Sequence, residues 1–524
     1  MPAAASPRGA HSDHVWRDPT ATPAERVDAP LPQAARGGVG DVVTNLTWVT
    51  PRVEGPVPVT ASSHPFGAMS HSRGGLDLDR FGYIEEEYFL HGTANIYDEL
   101  SGSVLTVEHA GVPYVTRVLV RRPKETTRFS GRAYLDILNA SSNYDIEDLW
   151  VRSYLWCMQN GHAYVGVTSK PGPVMSLKFF DENRYRSLNW SSPESAAQPA
   201  VPDPVSGSIP GTEEGLIWDI LSQCGVLLRG GGANSLLADL QVEYLYLTGQ
   251  SQSGAYLNTY VNHFHDFLVT AEGRRLFDGF FNSVGATVAR PLRQTRSSRS
   301  LGIHPGVLRP VATPTISVTA EGDLELFSQI TGERVSEIHP PDRNTVGEKS
   351  RYYEVAGASH TDVAAAVLPS EDEVAKTRFA HPAAPSGAPA NDFPLAFYLT
   401  RLLDRLHLWA SAGVVPPQMP LLARDHVGGV LKDEHGNAVG GLRSPFLDVP
   451  SATHHVFGED GNQAIAGTVN YFSRERIAAL YGTTEEYIIR FSRQTRQQVR
   501  DGWVSAADAE SMIDWAKNRV GPQG

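Results

Sequence analysis

Short apolar runs alternate with longer amphipathic stretches through the middle of the chain. Runs rich in Val, Leu, Ile, Phe and Tyr predict strands at residues 133–138, 163–168, 242–247, 279–283, 315–319 and 352–355. Stretches with helical spacing of apolar positions predict helices at residues 148–159, 215–228 and 255–269. Strands that alternate with helices form mostly parallel sheets covered on both faces. The pattern therefore predicts an α/β fold with a mostly parallel central sheet.

The two ends of the chain show other patterns. The first forty residues are rich in Ala, Pro, Arg and Gly without apolar periodicity, and the next ninety carry β-rich runs at 103–108 and 114–120 separated by turn residues. Amphipathic helices follow near the C-terminus. The predicted division is a flexible tail at 1–40, a strand-rich part at 41–130, an α/β core at 131–420, and C-terminal loops and helices at 421–524 that pack on or cap the core.

Composition narrows the class of protein. With 524 residues, 41% of them hydrophobic and 20% charged, the chain reads as soluble and globular. A formal net charge of -13 argues against nucleic acid or an anionic membrane as a partner, because those surfaces attract basic patches. Neither an apolar run of membrane-spanning length nor a signal-peptide core is present, so a cytoplasmic location is expected. The sequence leaves open whether the chain forms a homo-oligomer.

One turn carries candidate chemistry. Gly249–Gln250–Ser251–Gln252–Ser253–Gly254 lies between the predicted strand at 242–247 and the helix at 255–269. A serine on such a strand-to-helix turn is a nucleophile elbow, in which small neighbours allow the hydroxyl to project into a pocket. The usual pattern has glycine at the place of Ser253, so the match is imperfect, and a plain Gly/Ser-rich turn is the alternative interpretation.

Partners for Ser251 are expected at the carboxyl ends of later strands. Glu321 and Asp323 follow the strand at 315–319, and His360 follows the strand at 352–355. Ser, acid, His is the chain order of α/β-hydrolases. His360 can take the serine proton near neutral pH, and an acid holds the imidazole in the required tautomer. The residues leave both Glu321 and Asp323 open as that acid, with Glu325 a weaker third candidate.

An oxyanion hole needs two donors beside the nucleophile. The backbone amide of Gln252, directly after Ser251, is the expected first donor. The second is expected in the loop at 139–142, where Ala140 or a neighbour is the candidate. No metal-ligand spacing, phosphate-binding loop or dinucleotide fingerprint is found in the sequence, so neither a metal nor a cofactor is expected.

Several segments resemble the large bacterial alpha/beta hydrolase domain proteins. The similar segments are the elbow at 249–254, Tyr353–His360, Gly82–Tyr88, Asp433–Asn437, Gly440–Pro445 and Asp448–Pro450. The resemblance implies an α/β-hydrolase fold with a strand-rich N-terminal elaboration and a C-terminal helical or cap elaboration. It also implies Ser251 as nucleophile and His360 as base, and it favours Glu321 over Asp323 as the acid. It implies no particular substrate.

Three functional hypotheses follow. The first is a serine hydrolase that cleaves a small-molecule carboxylic ester through an acyl-enzyme. The second is an acyltransferase or a lyase on the same fold, which would pass the acyl group to another acceptor or use the site for a different bond. The third is a binding module whose elbow is catalytically inactive.

Overall fold

The computed structural model of the protein describes most of the chain. Its described residues are 40–46, 48, 50–101, 104–194, 209, 211–230, 235–237, 240–270, 273–293, 302–361, 366–379, 389–458 and 465–520. The flexible tail predicted over residues 1–40 lies outside these ranges, apart from Gly40, and stays a prediction.

Strands and helices alternate along the described part of the chain. The strands are β1 (Arg52–Glu54), β2 (Tyr83–Ser101), β3 (Val104–Pro123), β4 (Arg132–Ile137), β5 (Ala163–Val167), β6 (Tyr244–Gln250), β7 (Gly279–Ser283), β8 (Val288–Ala289), β9 (His304–Pro305), β10 (Thr315–Ala320), β11 (Arg343–Asn344), β12 (Lys349–Val355), β13 (Ala452–His455) and β14 (Thr468–Tyr471). The helices are α1 (Asp148–Asn160), α2 (Pro171–Phe180), α3 (Glu182–Tyr185), α4 (Ile217–Gly230), α5 (Gln252–Phe264), α6 (Glu321–Thr331), α7 (Glu371–Lys376), α8 (Leu395–Ala412), α9 (Pro445–Asp448), α10 (Arg474–Tyr481), α11 (Thr484–Arg500) and α12 (Ala506–Val520). Every strand and helix predicted above for the α/β region is present; β7 has the predicted ends, and the ends of the others are shifted.

One large sheet organises the fold. Within the part of the chain that the structure describes, ten strands lie side by side in the order β1-β2-β3-β5-β4-β6-β7-β10-β12-β11. The run from β5 to β12 is parallel. The strands β1, β2, β3 and β11 are antiparallel to their neighbours at the two edges. The predicted fold class, an α/β fold with a mostly parallel central sheet, is confirmed.

Apolar side chains cover both faces of this sheet. Successive residues of a strand point to opposite faces. Leu135, Val165 and Leu247 accordingly belong to one buried cluster, together with side chains of α4 and α5. Their neighbours Tyr134, Tyr164 and Tyr246 belong to a second cluster, with side chains of α1 and α8. Burial on both faces explains why these strands read as continuous apolar runs in the sequence.

The N-terminal strands differ from the prediction. Two short strands were expected at 103–108 and 114–120, but β3 runs unbroken from Val104 to Pro123. It pairs along its length with β2. The register of this pairing shifts on either side of Ile96 in β2, close to the positions that face Gly111 and Pro113 of β3. The turn residues Gly111 and Pro113 therefore mark a bulged stretch of a long hairpin and not its end.

The C-terminal segment packs against the second face of the sheet. Phe491 of α11 and Met512 of α12 are buried in the same cluster as Leu402 of α8. The backbone N–H of Leu442 donates to the carbonyl of Glu354 on β12 at 2.7 Å. Within the described ranges, no helix combines the length and the apolar character needed to cross a bilayer.

Candidate active site

The turn at Ser251 is sharp and strained. Strand β6 ends at Gln250, helix α5 begins at Gln252, and Ser251 between them has φ 54° and ψ -124°. A non-glycine residue at positive φ costs about 1–3 kcal/mol and persists only where the surrounding structure holds it. Here the Ser251 N–H donates to the carbonyl of Ser283 at the end of β7 (3.1 Å). Sheet and helix together hold the serine in the conformation of a nucleophile elbow.

The close approach of neighbouring atoms explains the two glycines of the turn. A Cβ on Gly249 would lie 2.4 Å from the carbonyl oxygen of Ser253. A Cβ on Gly254 would lie 2.4 Å from the side-chain oxygen of Asn282. Ser253, at the position where the pattern has a glycine, is fully buried and points into the protein. The departure from the usual pattern is therefore accommodated on the inner side of the elbow.

The structure brings Ser251, His360 and Asp323 together in a hydrogen-bonded chain. The Ser251 Oγ lies 2.7 Å from Nε2 of His360, and Nδ1 of His360 lies 2.6 Å from Oδ1 of Asp323. Oδ2 of Asp323 accepts the N–H of Ala320 at 2.7 Å. The imidazole is almost buried and packs edge-on to the ring of Phe327. Both ring nitrogens of His360 thus have the partners that a serine-activating base requires.

Of the two acidic candidates, the structure places Asp323 and not Glu321 against the imidazole of His360. The carboxylate of Glu321 faces away from the imidazole: Oε2 accepts the N–H of Gly357 at 2.8 Å, and Oε1 is ion-paired with Lys432. Glu321 is the first residue of α6, whereas Asp323 lies one half-turn later, on the side of the helix that faces His360. The third candidate, Glu325, is exposed on α6 and is hydrogen-bonded to Gln329.

The two oxyanion candidates are placed differently. Gln252 is the first residue of α5, so its backbone N–H has no acceptor within the helix and lies directly after the nucleophile. The backbone N–H of Ala140 already donates to the side-chain oxygen of Gln252 at 3.0 Å. Ala140 therefore contacts the elbow, but its amide donates to a side chain and is not open to a substrate oxygen.

A cavity of about 190 Å³ opens in front of the serine. Ser251 and His360 both line it. Its apolar lining includes Val151, Val284, Val367, Leu368 and Ile465. Its polar lining includes Asn139, Ser141, Ser142, Asp148 and Arg152. Such a mixture holds an apolar group while a few polar atoms orient it.

Two residues that hold the elbow and the histidine loop in place were not predicted from the sequence. The guanidinium of Arg152 donates to the side-chain oxygen of Gln250 (2.7 Å) and to the backbone carbonyl of His360 (3.2 Å). The amide nitrogen of Asn391 donates to the carbonyl of Gly357 and to the hydroxyl of Ser359, two residues of the histidine loop. Both residues lie far along the chain from the segments that they contact. No local sequence pattern could indicate these contacts, because they depend on how the chain packs around the loop.

A buried carboxyl group on β4 makes the stability of the fold depend on pH. Asp136 on β4 is fully buried, and burial, reinforced by the nearby Asp148 carboxylate, raises its pKa to about 7. It accepts hydrogen bonds from the hydroxyls of Tyr164 and Thr248, both at 3.1 Å. The neutral carboxyl is favoured in the folded protein, so its stabilising contribution is complete below about pH 4 and is lost as the pH rises towards about 7.

We therefore expect Asp136→Asn to stabilise the protein at alkaline pH. The amide stays neutral, so the variant avoids the cost of a buried carboxylate, up to about 4 kcal/mol at pH 8. Thermal or denaturant unfolding of both proteins at pH 5 and pH 8 measures the effect. The advantage of the variant should grow between the two pH values, and a constant or shrinking difference would contradict the assignment.

Metal and thiol chemistry receive no support from the described residues. Among them, no group of three or more His, Cys, Asp or Glu side chains is placed to hold a metal ion. Cys157 and Cys224 are buried and unpaired, and burial raises the pKa of both thiols to about 12. Thiols with so high a pKa are poor nucleophiles.

Comparison with known families agrees with this geometry. A family model described as "Alpha/beta hydrolase domain" matches residues 53–514. The chain belongs to this alpha/beta hydrolase domain family. Membership supports a hydrolase in general terms. Because one fold hosts many reactions, the reaction has to be inferred from the chemistry of the site.

Solved structures similar to this alpha/beta hydrolase include bacterial esterases. Esterase Est22 is 11% identical with a TM-score of 0.22, over 39% of this chain and 44% of that one. The rice cell wall degrading esterase LipA from Xanthomonas oryzae is 10% identical with a TM-score of 0.21, over 39% and 43%. XC6422 from Xanthomonas campestris, described as an α/β serine hydrolase without lid, is 9% identical with a TM-score of 0.23, over 55% and 92%. The chain thus spans less than half the length of Est22 and LipA, and no curated protein matches it significantly.

Proposed function

We propose that the protein is a serine hydrolase that cleaves a small-molecule carboxylic ester through an acyl-enzyme. The observation that carries the proposal is the continuous chain from Ser251 Oγ to His360 Nε2 (2.7 Å) and from His360 Nδ1 to Asp323 Oδ1 (2.6 Å). A nucleophile, a base and an orienting acid joined by two short hydrogen bonds are the parts that acyl transfer requires.

The first half of the reaction forms the acyl-enzyme. Ser251 Oγ attacks the ester carbonyl carbon while Nε2 of His360 takes the hydroxyl proton. The carbonyl oxygen becomes an oxyanion, which accepts the N–H of Gln252 at the positive end of α5. When the tetrahedral intermediate collapses, the bond to the alcohol oxygen breaks, and His360 gives its proton to the departing alcohol.

The second half returns the serine. Water enters the cavity, His360 takes one of its protons, and the resulting hydroxide attacks the acyl carbon. The bond between the acyl carbon and Ser251 Oγ then breaks, the proton passes from His360 to the serine, and the carboxylic acid leaves. The Asp323 carboxylate stabilises the imidazolium in both halves.

The site divides the two acidic residues between two roles. We assign the role of orienting acid to Asp323, because its carboxylate contacts Nδ1 of His360. We assign a structural role to Glu321, because its carboxylate joins the start of α6 to Gly357 in the histidine loop and to Lys432 in the C-terminal segment. The loop that carries His360 is thus fixed to the strand end that carries the acid.

Covalent labelling with a fluorophosphonate probe tests the proposal. The Ser251 oxygen should displace fluoride from phosphorus, and peptide mass spectrometry should find the adduct on residue 251. Ser251→Ala is the matched control and should show no adduct. Wild-type protein that stays unlabelled would contradict the proposal and favour an inactive binding module. Labelling confined to another serine, unchanged in Ser251→Ala, would contradict the role of Ser251 and indicate a different nucleophile.

A panel of p-nitrophenyl esters, lactones and amides then separates hydrolysis from acyl transfer. Hydrolysis predicts that water clears the acyl group within each turnover. Acyl transfer predicts an acylated Ser251 that water clears slowly and that an added alcohol or amine clears fast. The second result would replace the hydrolase by an acyltransferase while leaving the roles of Ser251 and His360 unchanged.

A further inference from the structure

A buried lysine lies directly behind the elbow. Lys170 follows strand β5 and precedes helix α2, and its side chain is almost completely buried. The ammonium donates to the carbonyl of Leu138 (2.7 Å), to Oγ of Ser169 (2.8 Å) and to Oγ of Ser253 (2.9 Å). An ammonium group has three donors, so each of them has its own acceptor.

Two of these acceptors belong to the two backbone segments beside the proposed oxyanion hole. Leu138 precedes the loop of Asn139 and Ala140, and Ser253 lies in the first turn of α5, next to Gln252. The Ser253 hydroxyl also lies 3.2 Å from the carbonyl of Leu138, to which it can donate. The lysine and this serine thus join the loop to the elbow.

The same two segments are joined at the next two residues as well. The side-chain nitrogen of Asn139 donates to the carbonyl of Gln250 at 3.3 Å. The N–H of Ala140 donates to the side chain of Gln252 at 3.0 Å. Three successive residues of the loop are therefore bonded to the elbow, and Lys170 supplies the charged contact of this set.

Keeping a lysine in this place is costly. Burial, with Arg290 adding to it, lowers the pKa of the Lys170 ammonium to about 7, although nearby carboxylates oppose the shift. The charged groups around it are Arg290, Glu214, Asp145 and Asp136. The face of the Tyr256 ring also lies 4.5 Å from the nitrogen. Buried ionisable groups with such shifts are concentrated at functional sites.

We propose that Lys170 is a positioning residue that holds the loop of Asn139 and Ala140 against the elbow, and so fixes the Gln252 amide relative to the carbonyl group of the substrate. The proposal rests on the proposed function. Lys170 and Ser253 are both buried, and neither lines the cavity in front of Ser251, so neither touches the substrate. Their effect is on the alignment of the oxyanion donor.

The arrangement also indicates that a variant without the ammonium can fold. If Lys170 is replaced, the carbonyl of Leu138 keeps the hydroxyl of Ser169 at 2.8 Å and that of Ser253 at 3.2 Å as donors. Methionine has a similar shape and removes the cost of burying a charge. We therefore expect Lys170→Met to be folded, with an unfolding temperature close to that of the wild type.

The test compares Lys170→Met with the wild type, using a short p-nitrophenyl ester and a fluorophosphonate probe. We expect kcat, corrected for the fraction of labelled sites, to fall by roughly 10- to 100-fold. The reason is that a small displacement of the oxyanion donor from the reacting carbonyl group strongly lowers the rate. The rate constant of Ser251 labelling should fall in parallel, while KM changes less than about twofold, because the ground-state contacts are untouched. Lys178→Met is the matched control, since it lies on α2 about 12 Å further along the helix, and should behave like the wild type.

A double-mutant comparison shows whether the effect passes through Ser253. Ser253→Ala should lower kcat less than Lys170→Met, and the loss in the double variant should be clearly smaller than the product of the two single losses. Additive losses would overturn the proposed link, and so would a folded Lys170→Met with wild-type kcat and labelling rate. A wild type that neither labels nor turns over the ester would overturn the proposed function, and this inference with it.

Discussion

Replacing Ser251 with alanine is expected to lower kcat for a short p-nitrophenyl ester by roughly 10⁶-fold, the scale seen when a triad nucleophile is removed. The Ser251 hydroxyl is the atom that His360 Nε2 contacts at 2.7 Å, and it opens onto the cavity. Without it, no acyl-enzyme can form, and only the slow attack of water on a bound ester remains. Initial rates over a range of ester concentrations measure the loss.

The fold should survive this change. Alanine keeps the Cβ that the turn already accommodates at φ 54°, and it removes only an oxygen atom. Circular dichroism and the unfolding temperature should therefore match those of the wild type. A folded Ser251→Ala variant that retains even a tenth of the wild-type kcat would show that another residue is the nucleophile.

Replacing Asp323 with asparagine is expected to lower kcat by roughly 10⁴-fold. The cause is specific to this site, because Oδ2 of Asp323 accepts the N–H of Ala320 while Oδ1 faces Nδ1 of His360. Asparagine keeps its oxygen at the Ala320 N–H and turns its NH₂ group towards the imidazole. Nδ1 must then accept, so the ring proton moves to Nε2, and His360 can no longer take the proton of Ser251.

Glu321→Gln is the matched control for the assignment of the acid. Glutamine keeps an oxygen for the N–H of Gly357 and loses only the ion pair with Lys432. We expect kcat to fall less than about tenfold, since a carboxylate-to-amide change here leaves the tautomer of His360 unaltered. A larger loss for Glu321→Gln than for Asp323→Asn would assign the triad acid to Glu321 instead.

Much of the fold and the order of the candidate site could be predicted from the sequence. The alternation of apolar runs and amphipathic stretches predicts the parallel strands, because burial on both faces leaves a local pattern. The ends of β6, β10 and β12 then place Ser251, the acidic residues and His360 at one edge of the sheet. These inferences use only neighbouring residues and the rule that parallel strands end together.

The choice between the two acids needed the structure. Glu321 and Asp323 are two positions apart at the start of a helix, so their side chains point in different directions once the chain turns. Which of the two carboxylates meets His360 depends on how the start of α6 packs against the histidine loop, and no local sequence pattern gives that packing. The resemblance to known family members favoured the residue that instead fixes the histidine loop.

The surroundings of the oxyanion hole could not be predicted for a similar reason. The contact between Ala140 and the Gln252 side chain joins residues 112 positions apart. One sequence feature could have indicated a buried role for Lys170, namely its position shortly after the end of an apolar strand. Its partner Ser253 was visible only as a departure from the glycine of the usual pattern.

Direct observation of the acyl-enzyme tests the central claim, that Ser251 is a nucleophile activated by His360 and Asp323. The protein is mixed with a p-nitrophenyl ester, quenched in acid within the first turnover, digested and examined by mass spectrometry. We expect the mass of the acyl group on the peptide containing Ser251, with a matching burst of p-nitrophenol that Asp323→Asn slows. Full ester turnover without acylation of Ser251, or acylation at another residue, would contradict it.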